Sequence, residues 1–328
     1  MKRFLAIVAV LVAVAALAGG AAVYWAWERF NAEGPLSAET NVIIPEGAGL
    51  IGIAEKLEAE GVIEDPLIFT LGARALEADR ALKAGEFAFP AAVSARGAVE
   101  ILMRGERVVR RVTVPEGLTS PEIVALLHAV DGLKGELPQE PPPEGSLLPE
   151  TYHFHYGDRR LDVLDRMRDS MQETLSELWP ERAQGLPIKS PEEAVILASI
   201  VEKETGVAGE RPLVASVFIN RLDKGMRLQS DPTVAYALTQ ANGAMDRALT
   251  RQDWKFDHPY NTYVHAGLPP GPIANPGRAA LQAVLNPAES DYLYFVADGS
   301  GGHAFAKTLA QHNRNVAKWK KFKRQQTQ

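Results

Sequence analysis

The stretch NVIIPEGAGLIGIAEKLEAEG, residues 41–61, decides how the folded part of the chain begins. Residues 41–44 alternate into the turn signal Pro45-Glu46-Gly47. Ile53, Ala54 and Leu57 then fall at helical spacing, and Gly61 is placed to cap that helix before Val62 and Ile63. The reading is strand, turn, helix. About seventy residues later the pattern returns in VTVPEGLTSPEIVALLHAV, residues 112–130: Pro45 aligns with Pro115, Gly47 with Gly117, Ile53 with Ile123 and Leu57 with Leu127. Two copies are too few for a solenoid, so small paired α/β modules are expected. A turn that merely precedes a helix accounts for the pattern as well as a binding role does.

Upstream, residues 4–27 carry no charge and follow Lys2 and Arg3. About 20 apolar residues suffice to span a bilayer, and a basic flank stays on the cytoplasmic side, so the bulk of the chain is expected outside. Tyr24, Trp25 and Trp27 suit the far interface. Ala16-Leu17-Ala18 resembles a signal-peptide cleavage site, but the apolar run continues past it and favours an uncleaved anchor.

The 328 residues are enough for about two compact domains, and a hydrophobic content of 46% can fill their cores. The formal net charge of -6 provides no basic field for nucleic acid, which is not expected as a partner. With no cysteine, disulfides and thiolate metal sites are excluded.

Downstream, residues 137–145, LPQEPPPEG, are too rich in proline for a helix or a central strand, and a domain boundary is expected there. Helical patterns follow at about 160–180, 191–206 and 209–223. A Pro/Gly/Asn-rich stretch covers 257–276, and DYLYFVA, residues 291–297, reads as a strand closed by the turn DGSGG at 298–302. The chain ends in a basic helical pattern, in which Lys318, Lys320, Lys321, Lys323 and Arg324 form either a solvated face or a contact with lipid headgroups.

Within VILASIVEKETG, residues 195–206, two glutamates interrupt an apolar run. On a helical wheel with Val195 at zero, Ile196, Leu197, Ile200 and Val201 average about 170°. Glu204 falls at about 180°, inside the apolar stripe, and Glu202 at about 340°, on the opposite side. The pair therefore makes no local dyad. Glu202 is expected in solvent. Glu204 is expected to be desolvated, which raises a carboxyl pKa and suits a general acid, unless it snorkels out or pairs with Arg211.

Glu204-Thr205 stands among further strings: LPETY (148–152), RPLVASVFINRL (211–222), GMRLQSDPTVAY (225–236), PYNTY (259–263), GLPPGPIANP (267–276) and GGHAF (301–305). Together and in this order they resemble the YceG-like family over nearly the whole chain beyond the anchor. Aromatic residues often precede the LPETY string in that family, whereas Ser146 and Leu148 stand here.

The resemblance implies an α+β fold: a single N-terminal transmembrane helix, a LysM-like α/β module and a mixed α/β catalytic domain. Expected boundaries are 1–28 for the cytoplasmic tip and anchor, 29–40 for a linker and 41–107 for the LysM-like module. They continue with 108–145 for the second repeat and connector, 146–320 for the catalytic domain and 321–328 for a basic tail. It implies an inner-membrane protein whose C-terminal domain lies in the periplasm and which cuts peptidoglycan as a lytic transglycosylase, terminating strand elongation. Glu204 would be its acid/base. Thr205, Asn220, Gln229, Asp231, Tyr260, Asn261, Tyr263 and Asn275, with Glu150 and Tyr152, would face the sugar. Tyr260 and Tyr263 offer stacking faces and the amides offer paired donors and acceptors. Asp231 and Glu150 are candidate second carboxylates. The family implies no cofactor and no metal, and an HExxH spacing is absent although His153 and His155 share one side of an expected strand and His258, His265 and His303 lie in site-like segments. Glycan strands, the inner membrane and penicillin-binding proteins of the wall-synthesis complex are the implied partners.

Two rival readings come from other classes. A non-catalytic wall-binding scaffold would have no use for Glu204-Thr205 on an apolar face. A peptidase would need a base beside Ser199, and neither that base nor a GxSxG motif is present.

Overall fold

The computed structural model describes every residue except 244–246 and 327–328, so the end of the expected basic tail lies outside the described residues. The chain divides into two compact units, one comprising residues 1–110 and 153–158, the other residues 111–152 and 159–328.

The first unit opens with helix α1 (Lys2–Asn31), whose uncharged run is solvent-facing along nearly its whole length. At about 1.5 Å per residue it is long enough, and apolar enough, to cross a membrane. Strand β1 (Thr40–Ile44) pairs antiparallel with β2 (Gly85–Phe89), in register from Thr40↔Phe89 to Ile44↔Gly85. Helices α2 (Leu50–Ala59) and α3 (Pro66–Ala75) lie between them in sequence, and α4 (Ala95–Arg104) follows. The turn chemistry explains the stops and starts. Gly61, at φ +70, lets Val62 N–H reach back to the Leu57 carbonyl at 2.8 Å and closes α2 as the sequence predicts. The Asp65 carboxylate then accepts from Leu67 and Ile68 N–H and starts α3, with Pro66 at its first position. Val42, Ile44, Leu57, Phe69, Phe87, Phe89 and Leu102 fill the core.

The repeat resumes as β3 (Val109–Thr113) and continues in the second unit as α5 (Ser120–Ala129), begun by a capping box between Thr119 and Glu122. Strand β4 (Thr151–His155) pairs with β3, and each of these two strands carries residues of both units. Helices α6 (Arg160–Leu178), α7 (Pro191–Glu204), α8 (Arg211–Asp223), α9 (Asp231–Asn242) and α10 (Arg278–Leu285) follow. The hairpin β5 (Tyr294–Ala297) and β6 (His303–Ala306) leads to α11 (Leu309–Gln326). Helix α7 is packed by α8, α9 and α10, so Leu197, Ala198, Ile200 and Val201 are all buried in the unit's core.

The compact second unit begins at Arg111, ahead of the boundary expected near residue 145. The reason lies in hydrogen bonding. Ser120 N–H donates to the Glu144 carboxylate at 3.0 Å, Leu147 N–H to Asn275 Oδ1 at 3.0 Å, and Asn275 N–H to the Leu118 carbonyl at 2.9 Å. The proline-rich run, though irregular, is sewn into this unit.

Candidate active site

Helix α7 ends at Glu204, and Thr205 leaves it in an extended conformation. The Glu204 carboxylate accepts a 2.6 Å hydrogen bond from the Ser230 hydroxyl. It forms part of the wall of a cavity of about 340 Å³, shared with Arg221, Gln229, Asp231, Tyr263 and His312. Burial pushes the Glu204 pKa up to about 7; the nearby Asp231 charge raises it further, while the Ser230 hydrogen bond, His303 and Arg221 pull it down. A carboxyl so placed holds a proton near neutral pH and can release it to a group entering the cavity.

Tyr263, on the cavity wall, is backed by an aromatic partner outside it. Trp254 and Tyr263 stack at 5.4 Å with 10° between their planes. Both donate to the same Asp231 oxygen, Tyr263 through its hydroxyl at 2.7 Å and Trp254 through its indole N–H at 3.1 Å. Gln229 reaches the cavity from a backbone at φ +52, a left-handed conformation uncommon for a residue with a Cβ. Arg221 is 8% exposed and fixed from three sides. Its Nη1 donates to the Leu228 carbonyl at 2.6 Å and its Nε to the Leu293 carbonyl at 2.7 Å, and its guanidinium lies 5.2 Å from the centre of the Tyr294 ring.

Of the residues expected to face substrate, the structure gathers Glu204, Gln229, Asp231 and Tyr263 around this cavity. It puts the others elsewhere. Asn261 and Asn275 have no exposed surface. Asn261 Nδ2 donates to the Trp254 and Phe256 carbonyls, and Asn275 Nδ2 donates to the Leu118 carbonyl. Asn220 Nδ2 likewise donates to the Ser290 and Tyr292 carbonyls. These amides tie loops together, because an Asn side chain satisfies irregular backbone as readily as a sugar. Tyr152 is buried and donates to the Leu148 carbonyl at 2.7 Å, and the buried Thr205 hydroxyl accepts from Val207 N–H. Glu150 is exposed but does not line the cavity, and Tyr260 packs on Tyr236 at 4.9 Å rather than joining Tyr263.

Glu202 also departs from expectation. Its side chain is 5% exposed, not solvated: one oxygen meets Arg211 at 3.2 Å and the other accepts from Gly277 N–H at 3.0 Å, at the start of α10. Arg211 pairs with Glu202 and with Glu116, which removes the pairing that would have explained Glu204 as a structural ion. Ser199 donates to the Ile196 carbonyl and accepts from Ile273 N–H, a structural hydroxyl with no base beside it. His303 is held by Glu210, which accepts from both its ring Nδ1 and its backbone N–H. No cluster of three or more metal-ligating side chains occurs among the described residues.

Sequence reasoning missed Ser230, Arg221, Trp254, Tyr294 and His312. Only Ser230 left a usable signal, as a small polar residue between two expected site residues, Gln229 and Asp231.

The family model of the YceG-like family matches residues 42–318. The chain belongs to the YceG-like family. Among relatives, an endolytic murein transglycosylase of Bacillus subtilis (strain 168) is 31% identical, over 92% of this chain and 90% of its own length. One from Streptococcus pneumoniae serotype 2 is 30% identical over 84% of this chain, which spans only 57% of that longer relative. A crystal structure of a YceG-like protein from Listeria monocytogenes superposes with a TM-score of 0.51 at 31% identity, covering 84% of this chain and 98% of that one. The YceG-like match takes in both units, with β1 at one end and most of α11 at the other.

Proposed function

We propose that this chain is a membrane-anchored lytic transglycosylase that cleaves the β-1,4 bond between N-acetylmuramic acid and N-acetylglucosamine within peptidoglycan strands. The observation that carries the reading is the Glu204 carboxyl on a cavity wall with Asp231, accepting from the Ser230 hydroxyl, where burial pushes its pKa up to about 7. Glu204 gives its proton to the leaving glycosidic oxygen as the bond to the muramyl C1 breaks. Positive charge develops at C1, where the Asp231 carboxylate offers electrostatic stabilisation without attacking. The new Glu204 carboxylate, supported by the Ser230 hydroxyl and the Arg221 charge, then takes the proton of the muramyl 6-hydroxyl as that oxygen bonds to C1. The product is a 1,6-anhydro ring. No water is consumed, and Glu204 ends as it began. Tyr263, backed by the stacked Trp254, is the cavity wall against which a pyranose face packs.

The names of the relatives support the peptidoglycan substrate. The β-α-α-β order of the first unit supports a LysM-like glycan-holding module, and α1 supports a single-pass anchor with the remainder of the chain in the periplasm, near wall-synthesis enzymes such as penicillin-binding proteins. The decisive experiment is mass spectrometry of purified peptidoglycan digested in oxygen-18 water. Unlabelled 1,6-anhydromuramyl ends are expected; labelled reducing ends, or intact wall, would reject the mechanism.

A further inference from the structure

Helix α3 carries an apolar ridge that the first unit's core does not use. Leu67 and Leu71, one turn apart, are 63% and 49% exposed, and the exposed Arg74 follows on the same face. The opposite face of α3 is conventional: Ile68, Phe69 and Ala73 are buried in the core. A soluble helix of ten residues gains nothing by presenting two leucines to water.

The position of the ridge explains it. Gly72 of α3 lies so close to the Phe30 ring of α1 that no side chain would fit between them. An apolar groove of about 540 Å³ runs along this contact, lined by Val23, Tyr24, Trp27 and Phe30 from α1 and by Ile68 and Leu71 from α3. Most of that α1 surface belongs to the uncharged run itself. With Lys2 and Arg3 at the inner face, about 20 residues fill the hydrocarbon, so Tyr24, Trp25 and Trp27 fall in the outer interfacial layer, where aromatic side chains settle. Because α3 packs against α1 at this level, Leu67 and Leu71 are brought to the same depth. Arg74 is then placed as a cation among anionic headgroups.

We propose that α3 is a second membrane contact, lying in the outer interface with Leu67 and Leu71 among the upper acyl chains and with lipid filling the groove between α1 and α3. The partner is the bilayer that α1 spans, so this inference rests on the anchor reading above. A single spanning helix fixes a domain to a membrane but leaves it free to swivel. Two leucines and an arginine on a rigidly packed helix restrict that freedom and hold the first unit's orientation to the surface.

The chain has no cysteine, so single-cysteine variants of the full-length protein take one environment-sensitive fluorophore each. Leu71→Cys tests the ridge and Val12→Cys the span. Glu106→Cys serves as the water reference, because it lies just beyond the end of α4 opposite the Arg96 turn that touches Asn31. The labelled proteins are placed in vesicles of phosphatidylethanolamine and phosphatidylglycerol, with bromine on either upper or lower acyl carbons. Emission from position 71 is expected to be blue-shifted and to lose most of its intensity to the shallow bromines, position 12 to the deep ones, and position 106 to neither. Quenching at position 12 with a water-like spectrum at 71 would overturn the proposal and leave the anchor standing. No quenching at 12 would overturn both. A blue shift at 71 without bromine quenching, lost on dilution into excess lipid, would assign the ridge to a second copy of the chain and reject the lipid contact.

Discussion

The two Pro-Glu-Gly copies are alike in backbone and unlike in use. Gly47 and Gly117 sit at φ +77 and +79, Ile53 and Ile123 are buried, and so are Leu57 and Leu127. The first copy is a self-contained piece of its unit: β1 is fully paired with β2, and a side chain added at Gly47 would meet open space. The second copy is a brace. Gly117 N–H donates to the Asn275 carbonyl at 3.0 Å, its carbonyl accepts from Lys203 Nζ at 3.1 Å, and Glu116 meets Arg211 at 3.1 Å. Arg211 holds Glu202 in turn, so the second turn grips the last turn of α7 on the side away from Glu204. One local pattern thus builds a module in one place and steadies the helix that carries the proposed acid, Glu204, in the other.

If the second copy exists to hold Glu204, the largest effect belongs to that carboxyl. Glu204→Gln keeps the shape of the side chain and removes its proton transfer, so cleavage should fall about a hundredfold or more in a soluble-glycan assay while the circular dichroism spectrum is unchanged. Retained activity would remove the reason for a brace.

Breaking the brace at its centre comes next. Arg211→Met leaves Glu202 buried with only the Gly277 N–H, and an uncompensated buried charge costs about 3–5 kcal/mol. The urea midpoint of the second unit's transition should drop accordingly, whereas Arg96→Met, at an exposed pair of the first unit, should move its transition by less than about 1 kcal/mol. Equal shifts would make the two regions equivalent.

The third test sharpens the site that the brace holds. With the Glu204 pKa near 7, kcat/KM should fall as pH rises through about 7, because the acid loses its proton. Ser230→Ala removes a donor that favours the carboxylate, so the falling limb should move to higher pH. The helix itself should tolerate this change, because Ser230 makes no side-chain cap to α9. Stability follows the same sign: a carboxyl whose folded pKa is raised destabilises the fold as pH rises from the unfolded value of 4.5 towards about 7. Glu204→Gln should therefore gain stability relative to the parent across that window and keep a constant advantage above it. An advantage independent of pH would contradict the raised pKa.

The smallest effect compares the copies directly. Gly47→Ala and Gly117→Ala each force an alanine into a left-handed conformation, at about 1 kcal/mol. Only Gly117→Ala also brings its Cβ into van der Waals contact with α7, 3.4 Å from Lys203 and 3.5 Å from Glu202, so only there does the strained turn press on that helix. Both variants should lose similar stability, and only the second should lower kcat. Equal kcat in the two would show that the turn does not transmit to α7.

The sequence by itself determined what depends on neighbours along the chain. The uncharged run gave α1, helical spacing gave α2 and α5 to α8, and Gly61 and the two Pro-Glu-Gly turns were legible because a positive φ selects glycine locally. Glu204 was legible for the same reason, since its place in the apolar stripe is a property of α7 alone. Glu202 was not. A helical wheel divides a helix into an apolar and a polar face, but α7 is packed by three other helices, and Arg211 and Gly277 cover the face the wheel assigns to water. The asparagines and Tyr152 were misplaced because residue type reports the capacity to hydrogen-bond and not the partner, which for Asn275 lies 128 and 157 residues away in Leu147 and Leu118. Only the tertiary structure decided which polar groups gather at the cavity, because Ser230 reaches Glu204, Trp254 reaches Asp231 and Arg221 shares the lining with both across separations that no local periodicity records.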